Sequence, residues 1–367
     1  MSSSIQKTAM ALGSVALITG SSLLAAPLAA HAGESTMPST YVENIKPEMA
    51  AKYVYTEDGE YTKALKIPTY EWLPASGTPK AIVLGIHGLT LHGRRFRVLA
   101  RSLAINKIGF VAMDMRGFGR CRFGDYQQFS TADDDRSKIN HHKSYDDIAQ
   151  LATMVKQKYP DLPLIALGES LGCTFCVRLA AEHPDLISGV VLSAPAVKVN
   201  HDMYFGKGQV KQGLKAIIDP DHEMDLSGFF AELCSGRKEV QDEMMDDPMI
   251  LKKIKLGALI ATDAFVDETA KFGKKTDKNL VVLILQGSSD GCVSPKHVTD
   301  LMNAMPSDHQ SLAWRGKYGH LQLETIFMRV QTIDAVADWL FGQGKTRKER
   351  LKVLQQEIAD LGGTVSE

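Results

Sequence analysis

The chain has 367 residues, 44% of them hydrophobic and 23% charged, with a formal net charge of -1. That composition excludes the disordered and fibrous classes and leaves enough apolar material for a large core. There is no long basic run to attract nucleic acid, and no internal stretch long and apolar enough to span a bilayer.

The first segment concerns targeting. Lys7 precedes the mostly apolar "TAMALGSVALITGSSLLAAPLAA", and Ala30 and Ala32 stand in the small-x-small arrangement of a cleavage site. Residues 1–32 therefore read as a signal peptide, and the mature protein, periplasmic or secreted, would start at Gly33. The alternative, an uncleaved N-terminal anchor, is disfavoured by the breakers Gly20 and Pro27. Export would place Cys121, Cys173, Cys176, Cys234 and Cys292 in an oxidising compartment, yet five is an odd number and their spacing is not that of a small disulfide scaffold. Cys173-x-x-Cys176 has redox spacing, but it falls where a helix should pack on a sheet, so its thiols are expected to act as small buried apolar groups.

After a polar arm, "ALKIPTYEWLP" and "AIVLGIH" read as strands, "RVLARSLAINK" as a helix and "GFVAMDM" as the next strand. The alternation continues through the helix "SYDDIAQLATMVKQKY", the strand "LPLIALG", the helix "CTFCVRLAAEH" and the strand "SGVVLSAP". Such a series calls for a parallel sheet covered by helices on both faces. From Val197 to Lys278 the chain turns polar, rich in methionine and helical, before "LVVLILQG", "KHVTDLMNAM" and "SLAWR" resume the pattern and "LETIFMRVQTIDAVADWLF" closes it as a helix. The organisation predicted is thus a core over 33–196 and 279–344, an inserted helical cap over 197–278 and a charged tail over 345–367. Leu351, Leu354, Ile358 and Leu361 in that tail are too few for a coiled coil and predict a surface helix packed on its own domain.

Chemistry enters at Gly168-Glu169-Ser170-Leu171-Gly172, where the strand-to-helix turn would expose a serine oxygen between two glycines. Serine at its free pKa is a poor nucleophile and needs a histidine base held by a carboxylate. Asp290 and His320 each follow one of the last two strands, at the carboxyl edge where an open parallel sheet carries its crevice. His183, His297 and His309 lie beside helices instead. A tetrahedral intermediate needs two amide donors, assigned to Leu171 after the serine and Leu89 in "IHGLTLHG", with His87 in a positional role. The chemistry calls for no cofactor and no metal. Asp133, Asp134 and Asp135 lie near His141 and His142, but without a metal-binding spacing they read as a solvated loop. Met203, Met224, Met244, Met245 and Met249 would line an adaptable acyl pocket or, more simply, fill the cap's core.

His87-Gly88, Asp114-x-Arg116-Gly117-x-Gly119, Gly168-x-Ser170-x-Gly172, Asp247-Pro248, Gly287-x-x-Asp290 and Gly319-His320 together resemble the monoacylglycerol lipase and lysophospholipase group of the α/β-hydrolase superfamily, the serine aminopeptidase S33-like hydrolases. The similarity covers about Ala81 to Phe341. It implies an eight-stranded α/β core, a helical cap over a Ser-His-Asp site and cofactor-free hydrolysis of acyl esters. Departures are "HGLTLHGRRF" where the group usually has glycine and glutamate after the first leucine or alanine, Phe118 where histidine is common and Cys121 where serine is common; all leave the triad untouched. The reading is an exported serine esterase acting on small-molecule or lipid esters, with the cap available for transient contact with a membrane surface. A thioesterase or aminopeptidase with the same triad is the alternative, followed by a binding protein that keeps the fold without turnover.

Overall fold

The computed structural model describes residues 45–198, 219–341 and 347–364; the expected signal segment lies outside the described residues. Eight strands form one sheet: β1 (Tyr53–Glu57), β2 (Thr69–Pro74), β3 (Ala81–Ile86), β4 (Ile108–Met113), β5 (Leu164–Glu169), β6 (Gly189–Ser193), β9 (Val281–Gly287) and β10 (Gln310–Arg315). Their spatial order is β1-β2-β4-β3-β5-β6-β9-β10, with β2 antiparallel to both its neighbours and every other pairing parallel. A further pair, β7 (Glu223–Asp225) and β8 (Lys253–Lys255), runs antiparallel inside the insertion.

The middle strands are buried along their whole length because helices cover both faces, which is why "AIVLGI" and "GVVLS" carry no alternation. At the other edge Tyr55 meets Trp72 with ring centroids 5.1 Å apart, Trp72 meets Phe110 at 6.0 Å, and Phe110 meets Phe96 at 5.5 Å. This aromatic chain welds the antiparallel strands to the helix Arg97–Ile105.

Three expectations need correction. "ALKIPTYEWLP" is not one strand: Ala64 and Leu65 end the helix Glu60–Leu65, Lys66 at φ 57° caps it in the left-handed region, and extension begins at Thr69, after Pro68. The polar arm contains β1, whose alternation is aromatic inward, with Tyr53 and Tyr55 buried and Val54 exposed. Finally, "LETIFMR" is not helical, and the closing helix starts at Val330. The amides of Leu323 and Glu324 are taken by the Glu169 carboxylate and that of Ile326 by Glu243, so the segment is held as a buried loop.

The tail forms the helix Arg347–Asp360, which buries Leu354, Ile358 and Leu361. Arg101, itself buried, donates to the Leu361 carbonyl at 2.8 Å, and the Lys46 amide donates to the Asp360 carbonyl at 2.9 Å, so the tail is stitched to the start of the described chain. Replacing the fully buried Ile358 by alanine should cost about 2–5 kcal/mol in urea unfolding. A change under about 0.5 kcal/mol, the range of surface substitutions, would show that the helix is not part of the core.

Candidate active site

Ser170 occupies the turn between β5 and the helix Leu171–Glu182 at φ 55°, ψ -119°. A non-glycine residue in such a region costs on the order of 1–3 kcal/mol and persists only where its surroundings fix it. Here they do. The Ser170 amide donates to the Ser193 carbonyl at 2.9 Å, while its carbonyl accepts from the amides of Cys173 and Ala196. A Cβ on Gly172 would lie 2.0 Å from the Ile86 carbonyl oxygen, and one on Gly168 would lie 2.5 Å from the Gly172 carbonyl carbon. The flanking glycines are thus required because the helix start crosses the strand ends in backbone contact.

His320 follows β10 and is buried, with Nδ1 2.9 Å and 3.0 Å from the two carboxylate oxygens of Asp290, which follows β9. The carboxylate is an acceptor, so Nδ1 carries a proton, and in the neutral imidazole Nε2 is the acceptor. Asp290 also accepts from the amides of Cys292 and Val293 and from the Gln286 side chain. Burial by itself would raise the Asp290 carboxyl, but the His320 charge and these hydrogen bonds outweigh it and hold it below the ordinary carboxylate range. Burial would likewise lower the imidazole, and Asp290 outweighs that to hold His320 above its usual 6.5.

Ser170 and His320 line one cleft of about 1000 Å³, counted to its open mouth, together with Gly88, Leu89 and Leu171. The structure thus brings all five sequence-predicted residues together, four of them on the cleft and Asp290 behind His320. The roof comes from the insertion and is largely apolar, with Leu226, Phe229, Phe230, Leu259 and Val266. Met224 and Met244 are both buried and both face the cleft, whereas Met245 is exposed and Met203 lies outside the described residues.

His87 is fully buried and neutral, pushed down to about 4 chiefly by burial. Its Nε2 accepts from the Met115 amide at 2.9 Å, so Nδ1 donates to the Gly88 carbonyl at 2.8 Å. Both ring nitrogens are spent on holding the loop that presents Leu89. In the acidic loop Asp134 pairs with Arg116 and Lys143, Asp135 pairs with Lys138, and His141 stacks on Phe265. Among the described residues, the side chains with metal-ligating spacing are Asp290, Cys292 and His320, with donor atoms within 4.8 Å of one another. Two of these three already hydrogen-bond each other.

Sequence reasoning missed two buried acids. Glu169, beside the serine, accepts from the amides of Gln322, Leu323 and Glu324 at 2.8–3.1 Å and from the Ser193 hydroxyl at 2.7 Å. Glu324 accepts from the Gly88 amide at 2.9 Å, and burial pushes its carboxyl well above the ordinary range. The one available signal was a charged residue closing the apolar run "LIALGE".

The family model described as serine aminopeptidase, S33, matches residues 77–324. Monoglyceride lipase of Mus musculus is 25% identical over 313 residues, covering 84% of this chain and 95% of that protein. The Homo sapiens monoglyceride lipase is 25% identical over 297 residues, covering 79% and 90%. Among solved structures, a soluble variant of Saccharomyces cerevisiae monoglyceride lipase superposes with a TM-score of 0.60 at 18% identity, covering 88% of this chain and 98% of that one. A carboxyl esterase of Bacillus coagulans superposes at 0.56 and 15% identity, covering 83% and 99%. These structures share the α/β-hydrolase fold seen here.

An NMR titration checks the electrostatics directly. The His320 imidazole should titrate above 6.5 and move down in Asp290→Asn, while His87 should stay neutral to about pH 4. A His320 midpoint at or below 6.5, unmoved by the substitution, would contradict the pairing.

Proposed function

The chain belongs to the serine aminopeptidase S33 family of α/β-hydrolases, and from that membership we propose that it hydrolyses carboxylic esters bearing one acyl chain, of the monoacylglycerol or lysophospholipid kind. The observation that carries the reading is the strained Ser170 turn opening onto the cleft that His320 also lines. Ser170 Oγ attacks the ester carbonyl, and His320 Nε2 takes its proton and returns it to the departing alcohol. Asp290 holds the imidazole tautomer and stabilises the imidazolium. The amides of Leu89 and Leu171 stabilise the oxyanion, a contribution of roughly 2.7–4 kcal/mol per donor in comparable sites. Water then repeats the sequence on the acyl-enzyme.

An acyl chain fits the apolar roof, where each buried methylene contributes up to about 0.8 kcal/mol. The family's description names the competing reading, an aminopeptidase. A substrate ammonium would need an ionised carboxylate in the cleft, because an unpaired buried charge costs several kcal/mol. Of the acids lining it, Glu169 is saturated with hydrogen bonds, burial disfavours the charged form of Glu324, and Asp225 is exposed to solvent and accepts from the Ser227 amide. Export belongs to the same proposal and is supported by Lys7, the apolar run and Ala30-x-Ala32.

A fluorophosphonate should label the wild-type protein at Ser170 and leave Ser170→Ala unlabelled. On p-nitrophenyl esters, kcat/KM should climb with acyl length over the first several carbons, while aminoacyl amides turn over poorly. Labelling that persists in Ser170→Ala would remove the nucleophile assignment. Efficient cleavage of aminoacyl amides with a flat response to acyl length would mean that the cap reads an amine.

A further inference from the structure

All five cysteines are free and buried, and they fall into two groups. Cys121 faces the Asp114 carbonyl and Cys173 the carbonyls of Gly168 and Ser193, so these sulfurs, together with Cys176 on the same helix, serve the helix–sheet packing. Cys234 and Cys292 differ. They come from the cap and from the loop after β9, 58 positions apart, yet their sulfurs lie 3.6 Å from each other and both residues line the cleft.

Their backbones are already part of the catalytic loops. The Cys234 carbonyl accepts from the amides of His320 and Leu321, each at 3.0 Å, and the Cys292 amide donates to Asp290 at 2.9 Å. We propose that Cys234 and Cys292 are a disulfide-forming pair, a covalent modification site that ties the cap to the loops carrying Asp290 and His320. A disulfide needs its sulfurs about 2.05 Å apart, so the pair must close by roughly 1.5 Å. The bond would close a loop of 58 positions, from the middle of the cap to the loop after β9, constraining the unfolded chain and stiffening that edge of the cleft in the folded one.

The co-reactant is a small disulfide that enters through the cleft. One cysteine thiolate attacks a sulfur of that molecule and expels the first small thiol; the second cysteine then attacks the resulting mixed disulfide and expels the other. The two protein thiols lose two electrons and two protons, and the small disulfide gains them as two thiols. Burial pushes the Cys292 thiol well above its ordinary range, so the exchange is slow and is best read at equilibrium.

The test uses the full chain, equilibrated at mildly alkaline pH with 2-hydroxyethyl disulfide, then quenched, alkylated and digested without reduction. The expected result is a peptide joining Cys234 to Cys292, three alkylatable thiols in the denatured protein in place of five, and a melting temperature raised by several degrees and restored by dithiothreitol. Cys234→Ser and Cys292→Ser should each abolish the linked peptide and the shift. Five alkylatable thiols at equilibrium, a mixed adduct that never resolves, or a bond through Cys121, Cys173 or Cys176 would overturn the proposal. The wild-type peptide map decides the matter even where a variant folds poorly, and it does so without reference to catalytic activity.

Discussion

A single buried acid, Glu169, ties the Ser170 turn to the loop that follows His320. It sits immediately before Ser170, fully out of solvent, and both its oxygens accept hydrogen bonds. Removing a carboxylate from water costs several kcal/mol unless its lone pairs are met. Here three consecutive backbone amides, from Gln322 to Glu324, and the Ser193 hydroxyl meet them. Burial pushes the Glu169 carboxyl above its ordinary range and the hydrogen bonds from Ser193 and these amides counter it, so the loop after His320 is held directly over the serine turn. From there Glu324 reaches the Gly88 amide, and Arg95 donates to the Glu324 carbonyl. The Ser170 turn, the loop after His320 and the loop carrying Leu89 are therefore parts of one network.

The cap is attached through a second buried polar cluster. Asp247 accepts from His92 at 3.0 Å and from Arg95 at 3.3 Å, and Arg95 also pairs with Glu243 at 3.1 Å. Burial would raise the Asp247 carboxyl, but His92 and Arg95 outweigh it and hold it far below the carboxylate range. Glu243 in turn accepts from the Ile326 amide and the Thr325 hydroxyl, which lie on the loop after His320. The Leu251 amide reaches the Thr90 carbonyl beside Leu89. The cap and the loops around the cleft thus share hydrogen bonds, which fix the apolar roof in register over Ser170.

Much of this was legible in the sequence because it rests on local rules. Uninterrupted apolar runs separated by helical periodicity gave the parallel strands, and strand-end placement pointed to Ser170, Asp290 and His320. What escaped was either short or non-local. β1 hid in a polar arm because an edge strand buries alternate residues, and β7 and β8 are too brief to show a pattern. The closing helix was extended too far because "LETIFMR" is apolar enough to be helical, while the acids that capture its amides lie over 80 positions away for Glu243 and over 150 for Glu169. A carboxylate acting across that distance leaves no periodicity. Nor does the meeting of Cys234 with Cys292, which depends on how the insertion folds back.

By holding the amides of Gln322, Leu323 and Glu324, Glu169 would align His320 with Ser170 in the proposed reaction. Glu169→Gln keeps the shape but turns an amide donor toward backbone N–H groups that need an acceptor. The decisive measurement is the pre-steady-state acylation rate of this variant on a p-nitrophenyl ester, together with amide hydrogen exchange at Gln322, Leu323 and Glu324. Acylation should slow by about 100-fold, the scale of a misplacement near 1 Å, with exchange protection lost at those three amides and retained in β5 and β6. Wild-type acylation with the three amides still protected would contradict it.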